Sequence, residues 1–173
     1  MASDTLIVIA NQYDSEADAV ADFEDLHKLY DKEEIGDTFD AAVLTRKANG
    51  KVDIVKRAVG QTRHRAGAGL GTGLAVGAAL ALFPAISLAG ALVAGGTAGA
   101  SAGAVAGHLS SGMSRSDLKD LGEVLDNGTS GLVVVARTNA EAMIEDATTR
   151  AKHQAKAQLQ ADVDAMKKEL AAI

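Results

Sequence analysis

Four histidines, His27, His64, His108 and His153, are the first candidates for chemistry in this 173-residue chain. A protein metal site gathers ligands at short spacings, and here no histidine has a second histidine or a cysteine nearby. His27 falls among the charges of an amphipathic stretch and reads as a surface residue. His108 closes a long uncharged run and reads as a helix-end residue at an interface, with a pH switch as its sharper alternative. Ser110, Ser111, Ser114 and Ser116 follow it, and helix capping accounts for them better than nucleophilic catalysis. Glu16, Asp18, Asp22, Glu24 and Asp25 alternate with an apolar stripe, as on a solvated helix face, rather than forming an acid–base pair. The run GAGLGTGLAVG suggests a phosphate cradle. Yet Gly67, Gly69 and Gly71 are followed five residues on by Thr72, Leu74 and Val76, and no Gly-Lys-Ser/Thr follows. No acid, base and nucleophile come together, so the expectation is a non-enzymatic protein with no metal and no cofactor.

The elements that would position any site are clear outside the middle of the chain. Residues 5–10, TLIVIA, are β-branched and apolar and predict a strand. Asp14 or Ser15 can cap a helix from Glu16 to about Asp31, with Val20, Phe23, Leu26, Leu29 and Tyr30 at helical spacing. Asn49-Gly50 between two strand-like runs is a strong hairpin signal, because both central turn residues need positive φ, and it pairs residues 41–47 with 51–57. Ser114, with Asp117 three residues on, opens a second helix on Leu118, Leu121, Val124 and Leu125 that stops at Asn127-Gly128. Residues 132–136, LVVVA, form a strand of the kind covered on both faces. Thr138 and Glu141 have capping-box spacing and predict a last helix running to Ile173.

The order is β-α-β-β-α-β, which predicts an α+β, ferredoxin-like antiparallel sheet with two helices on one face, plus a long C-terminal helix. That helix would be about 50 Å long, longer than such a domain needs. Its stripe of Leu159, Val163, Met166, Leu170 and Ile173, extended by Ala147, Ala151 and Ala155, covers the sheet's own core or, in its distal part, packs on another copy or another helix. The predicted domains are residues 1–65 with 114–138, an insert at 66–113 between the third strand and the second helix, and the helix at 139–173.

The insert is a separate piece of physics. From Ala66 to Ser114 there is no Asp, Glu, Lys or Arg, and the chain's one proline, Pro84, lies inside. Proline lacks an amide hydrogen and clashes with the preceding turn, so Phe83-Pro84 is the predicted bend of a helical hairpin. Its arms are about residues 67–82 and 86–109. The first, about 25 Å long, falls short of a ~30 Å bilayer core, so the tip stops within a membrane or is buried against other copies. Gly69, Gly73 and Gly77 on one arm, and Gly95, Gly99, Gly103 and Gly107 on the other, recur every four residues. That spacing puts them on one helix face, where a second backbone can approach. A flexible linker is the bland reading, and Leu70, Leu74, Val76, Leu80, Leu82, Phe83, Ile86, Leu88, Leu92 and Val93 make the run too apolar for it.

Charge is distributed to match. The net charge is −6, which argues against general nucleic-acid binding. Basic residues nevertheless flank the insert: Lys51, Lys56, Arg57, Arg63 and Arg65 before it, and Arg115 and Lys119 after it. Both ends of the hairpin would then face one side, the cytoplasm by the positive-inside rule. Lys56, Arg57, Arg63, Arg65 and Arg115 are the predicted contacts to anionic lipid headgroups. The absence of cysteine fits a reducing compartment. The acidic MASDTLIVIANQ start does not read as a secretory signal.

The passage LKDLGEVLDNGTSGLVVVA resembles the "L…G-T-S-A-L" passage of a bacterial family of unknown function numbered 1269, described as predicted membrane proteins. Gly128, Thr129 and Ser130 carry the resemblance; Asn127 and Gly131 stand where proline and alanine are usual. It implies a membrane-linked or assembling protein and supplies no catalytic residue. The expected function is a self-associating homo-oligomer at the cytoplasmic face of the inner membrane, or a soluble oligomer in the cytoplasm, with anionic lipid as a further partner. A small-ligand-binding regulatory module is the alternative, and a hairpin-lined pore a third.

Overall fold

The computed structural model describes residues 4–32, 39–46, 52–57, 107–108, 111–126, 130–162 and 165. Within them the chain is α+β. Strand β1 (Asp4–Tyr13) leads to helix α1 (Glu16–Lys32), then to strands β2 (Phe39–Arg46) and β3 (Val52–Arg57). Helix α2 (Arg115–Asp126), strand β4 (Ser130–Arg137), a 3₁₀ turn (Thr138–Ala140), helix α3 (Glu141–Ala147) and strand β5 (His153–Ala161) follow. The five strands form one antiparallel sheet in the order β3-β2-β4-β1-β5.

Both faces of this sheet are covered, which explains why β1 reads as an unbroken apolar run. Leu6 to Ala10 are each at most 3% exposed. Alternate residues point to opposite faces. Ile7, Ile9, Tyr13, Ala41, Val43, Leu132, Val134 and Ala136 form one core with Phe23 and Leu26 of α1 and Ile144 of α3. On the other face α2 packs across β1 and β5, where Leu6, Val8, Ala157 and Leu159 point. The caps follow the sequence in part. The Ser15 and Ser114 hydroxyls accept the backbone N–H of Asp18 and Asp117, three residues into each helix. The Thr138–Glu141 box is not formed: neither Arg137 nor Ala140, the capping positions of the two short turns, makes a side-chain cap.

Three expectations are corrected. The ferredoxin-like sheet expected from the order β-α-β-β-α-β is replaced by five strands in the order β3-β2-β4-β1-β5, with the strand expected at 51–57 at the edge and β4 central. The two helices expected on one face, α1 and α2, lie on opposite faces; the helix that shares the α1 face is α3. The continuous helix from Asn139 is replaced by the seven-residue α3, a turn and β5. The reason is visible in HQAKAQLQA. Ala157, Leu159 and Ala161 are buried and alternate with exposed Gln158 and Gln160, the two-residue period of an edge strand with one covered face. In the β2–β3 pair, Val43 stands opposite Lys56 and Leu44 opposite Ile54, so Val55 is the extra residue of a bulge. That accounts for its exposure. The Asn49-Gly50 turn lies outside the described residues.

Candidate functional site

Most of the predicted hairpin falls outside the described residues: Gly69, Gly73, Gly77, Gly95, Gly99, Gly103, Phe83 and Pro84, and with them Arg63, Arg65, Val163, Met166 and Leu170. Gly107 is described. It is helical and exposed, and no described atom lies within 4 Å of where its Cβ would stand. Lys56 and Arg57 end β3, and Arg115 opens α2 on the surface. Leu159, expected on an oligomer helix, is 1% exposed inside the molecule. Its neighbour across the layers is Gly112, where a Cβ would meet the Leu159 side chain.

The registers fix the directions in which the chain leaves and re-enters the domain. β3 is antiparallel to β1, so it runs toward the end of the sheet that carries Thr5 and Gln160. Gly112 lies against the Gln160 carbonyl at that same end. The two flanks of the uncharged run therefore point to one end of the sheet, on its two edges. Four strand spacings, roughly 19 Å, separate those edges. Among the described residues no helix is long and apolar enough to cross a membrane.

At the opposite end of β1 an open cleft of about 540 Å³ lies between α2 and the ends of β1 and β5. Gln12, Asp120, Glu123, Val124, His153 and Gln154 line it. Gln12 stands opposite Gly131 on one side and His153 on the other, so it shares the α2 face with His153 and has no side chain between it and β2. It is 9% exposed, and among the described residues no buried side-chain nitrogen or oxygen lacks a hydrogen-bond partner. Asp120 and His153 are exposed. Glu123 has a long contact with Lys119, 3.6 Å. No group of three or more His, Cys, Asp or Glu among the described residues could hold a metal ion.

Elsewhere, charge serves architecture. The buried Asp22 carboxylate accepts from the Tyr13 hydroxyl at 2.8 Å, from the Arg150 guanidinium at 2.7 Å and from the Arg150 backbone N–H at 3.1 Å. Arg150 also donates to Asp25 at 2.8 Å. Burial, then the bond to Asp22, pushes the Tyr13 hydroxyl pKa far up. Arg150, followed by Lys28, holds Asp25 below the usual carboxylate range. Asp25 and then Asp22 raise Arg150. On the rim of the same face Lys156 pairs with Glu141 at 2.7 Å and with Glu145, which raises its pKa. Asn11, fully buried in β1, donates to the Leu132 carbonyl and accepts from Gln154, which also reaches Thr148. These bonds tie the α3–β5 turn to β1 and α1. Sequence reasoning missed them because the partners stand up to 143 positions apart.

The family model for DUF1269, described as a protein of unknown function, matches residues 66–171, more than half of the chain. The chain belongs to DUF1269. The match takes in the uncharged run, α2, β4, α3 and β5, and leaves β1 to β3 outside it. No curated protein and no solved structure matches this DUF1269 chain.

Proposed function

We propose that this DUF1269 protein is a non-enzymatic, self-associating protein whose uncharged run folds as a glycine-packed helical hairpin. The hairpin enters a bilayer from the cytoplasmic face, or packs with the hairpins of neighbouring copies into an apolar zone that holds lipid. The observation that carries the reading is the absence of Asp, Glu, Lys and Arg from Ala66 to Ser114. The exit of β3 and the re-entry at Gly112 toward one end of the sheet support it, since a hairpin must leave and return on one side. Lys56, Arg57 and Arg115 border those junctions. An apolar segment of that length left bare on a monomer drives aggregation, so oligomer or membrane is required.

Within the domain we read β1-α1-β2-β4-α3-β5 as a ferredoxin-like unit. The order β5-β1-β4-β2, with α1 and α3 on one face, supports it. β3, the uncharged run and α2 are then one excursion between its second and third strands.

The test is fractionation and native mass of the full chain. Membrane association, or a large particle that carries lipid, is expected. A lipid-free monomer that is stable without detergent refutes both forms. The polar cleft favours a second reading, a small-ligand-binding regulatory module.

A further inference from the structure

We infer that a second copy of this chain pairs with the outer edge of β5, antiparallel and about a twofold axis at Ala157, and so joins two five-stranded sheets into one. The inference rests on the self-association proposed above and gives it a surface.

The two edges of the sheet are built differently. A strand edge offers a row of backbone N–H and C=O groups to any other strand, and a protein that must keep it unpaired shortens, bulges or charges it. β3 carries all three guards: it spans six residues, bulges at Val55 and ends on Lys56 and Arg57. β5 carries none of them. It runs for nine residues, about 30 Å, in one unbroken register with β1 and without proline. Its one Lys or Arg, Lys156, is held back over α3 by Glu141 and Glu145. Gln154 is drawn to Asn11 and Thr148, and Gln160 to Thr5, both toward the interior of the sheet. On the α2 face the strand carries mostly alanine. An approaching strand therefore meets main chain.

Charge selects the register. Residues opposite each other across an antiparallel pair share a face, and like charges there repel. An axis at Lys156 would set that lysine against itself. An axis at Ala157 sets Lys156 opposite Gln158 of the second copy and Ala155 opposite Leu159. Beyond the strand ends it brings Lys152, which also holds Asp14, toward Asp162 of the second copy, opposite charges at both ends. Gly112 already rests on the Gln160 carbonyl, so the ladder is centred on residues 155–159. Above it, α2 lies over β1 and β5. With strands about 4.8 Å apart, two helices so placed come to about 10 Å from each other across the axis, the spacing of packed helices. The joint is then a ladder with a helix pair on it.

The twofold reverses the strands, so the Gln160 ends of the two copies point in opposite directions. Both hairpins of such a pair cannot enter one bilayer. The pairing belongs with the form in which hairpins pack on neighbouring copies, and two different joints on each chain extend the assembly beyond a dimer.

The experiment is copper-phenanthroline oxidation of the full-length protein in the medium in which it purifies, with native mass measured in parallel. The chain has no cysteine, so a single one reports its own neighbour. Ala157→Cys faces itself across the axis, within the Cα separation a disulfide spans. Val55→Cys, exposed on the β3 edge, is the control for collision. Gln158→Lys sets a second ammonium opposite Lys156 of the second copy, and Gln158→Glu sets a carboxylate there; Gln158 is exposed, so neither disturbs the core. A disulfide-linked dimer from Ala157→Cys and none from Val55→Cys is expected. Gln158→Lys is expected to lower the native mass at least twofold, and Gln158→Glu to leave it unchanged. If Ala157→Cys does not fold, the two Gln158 variants decide: equal masses overturn the joint. An oligomer in which Ala157→Cys stays unlinked and Gln158→Lys keeps the full mass overturns the β5 joint and leaves the hairpin as the site of self-association. A monomeric wild type removes both.

Discussion

Gly112 offers the sharpest check on how the excursion rejoins the domain. A Cβ built there would lie 2.1 Å from the Gln160 carbonyl oxygen, 2.8 Å from Leu159 Cδ1 and 3.1 Å from the Gln160 carbonyl carbon. Ordinary contact begins near 3.4 Å, so Gly112→Ala requires 3.4 − 2.1 = 1.3 Å of separation from the β5 backbone. Two of those three atoms are main chain, and no rotamer change relieves them. Overpacking of this kind costs about 1–3 kcal/mol, and a methyl against a ladder strand belongs at the upper end. Alanine regains about 1 kcal/mol of helix propensity where the backbone is helical, leaving Gly112→Ala destabilised by about 2 kcal/mol. Gly107→Ala is the companion: no described atom lies near its Cβ, so only the propensity gain operates there within one chain. Urea unfolding followed by far-UV circular dichroism reads both, as shifts in midpoint at constant slope. If Gly112→Ala matches wild type, Gly112 does not lie on Gln160, and β5 is not the strand beneath it.

Tyr13→Phe removes one hydrogen bond and is expected to cost about 1 kcal/mol at neutral pH. The sign reverses in alkali. The folded hydroxyl titrates far above the ordinary value near 10, so above pH ~10 the unfolded chain loses its proton first. Wild-type stability then falls by about 1.4 kcal/mol per pH unit from this group, a slope that Tyr13→Phe lacks. Unfolding curves that stay parallel from pH 7 to 11.5 would contradict the Asp22 site. Asp22→Ala removes the carboxylate that accepts from the buried Tyr13 hydroxyl and from the Arg150 backbone N–H, and a loss of about 3 kcal/mol is expected by the same assay. Leu159→Ala is expected to cost about 2–5 kcal/mol while Gln158→Ala stays within about 0.5 kcal/mol, the contrast of alternate residues on one strand. Gly107→Leu is expected to leave a single chain's stability unchanged but to reduce the native mass if Gly107 faces another copy; unchanged mass would remove it from the packing face.

The elements whose periodicity rests on large side chains are legible in the sequence. Leu, Ile and Val in β1 and β4, and Phe23, Leu26 and Leu121 in the helices, place themselves by burial alone. β5 was not legible, because its buried members are mostly alanines and its exposed members are glutamine and lysine, all of which favour helix in isolation. The cross-strand register with β1, from Asp4–Ala161 to Gln12–His153, overrides that preference, and no local pattern announces it. Two further differences follow from β5. Once β5 is taken as helix, α2 becomes the second helix of the unit and β4 its last strand. Of the cleft, only the Asp120 and Glu123 spacing on α2 could be seen in advance. Gln12 and His153 join them through the β1–β5 ladder, 141 positions apart (153 − 12).

The cleft and the junctions of the uncharged run occupy opposite ends of β1. Gln12 and His153 stand at one end; Thr5, Gln160 and Gly112 stand at the other. Seven residues of strand, about 23 Å, separate them. The two readings therefore do not compete for the same surface. If the hairpin enters a bilayer, the end of the sheet carrying Gln160 faces the membrane and the cleft faces water. The parts between are stiff: a sheet covered on both faces, with the Asp22–Arg150 latch binding the α3–β5 turn to α1. α2 begins three residues after Gly112 and carries Asp120 and Glu123 to the cleft, alongside β1 and β5, which run the whole distance. The helix that walls the cleft therefore starts close to the point where the returning chain packs on β5. The two ends are joined both by α2 and by the β1–β5 ladder, and the close packing of Gly112 on Gln160 fixes where the returning chain meets that ladder.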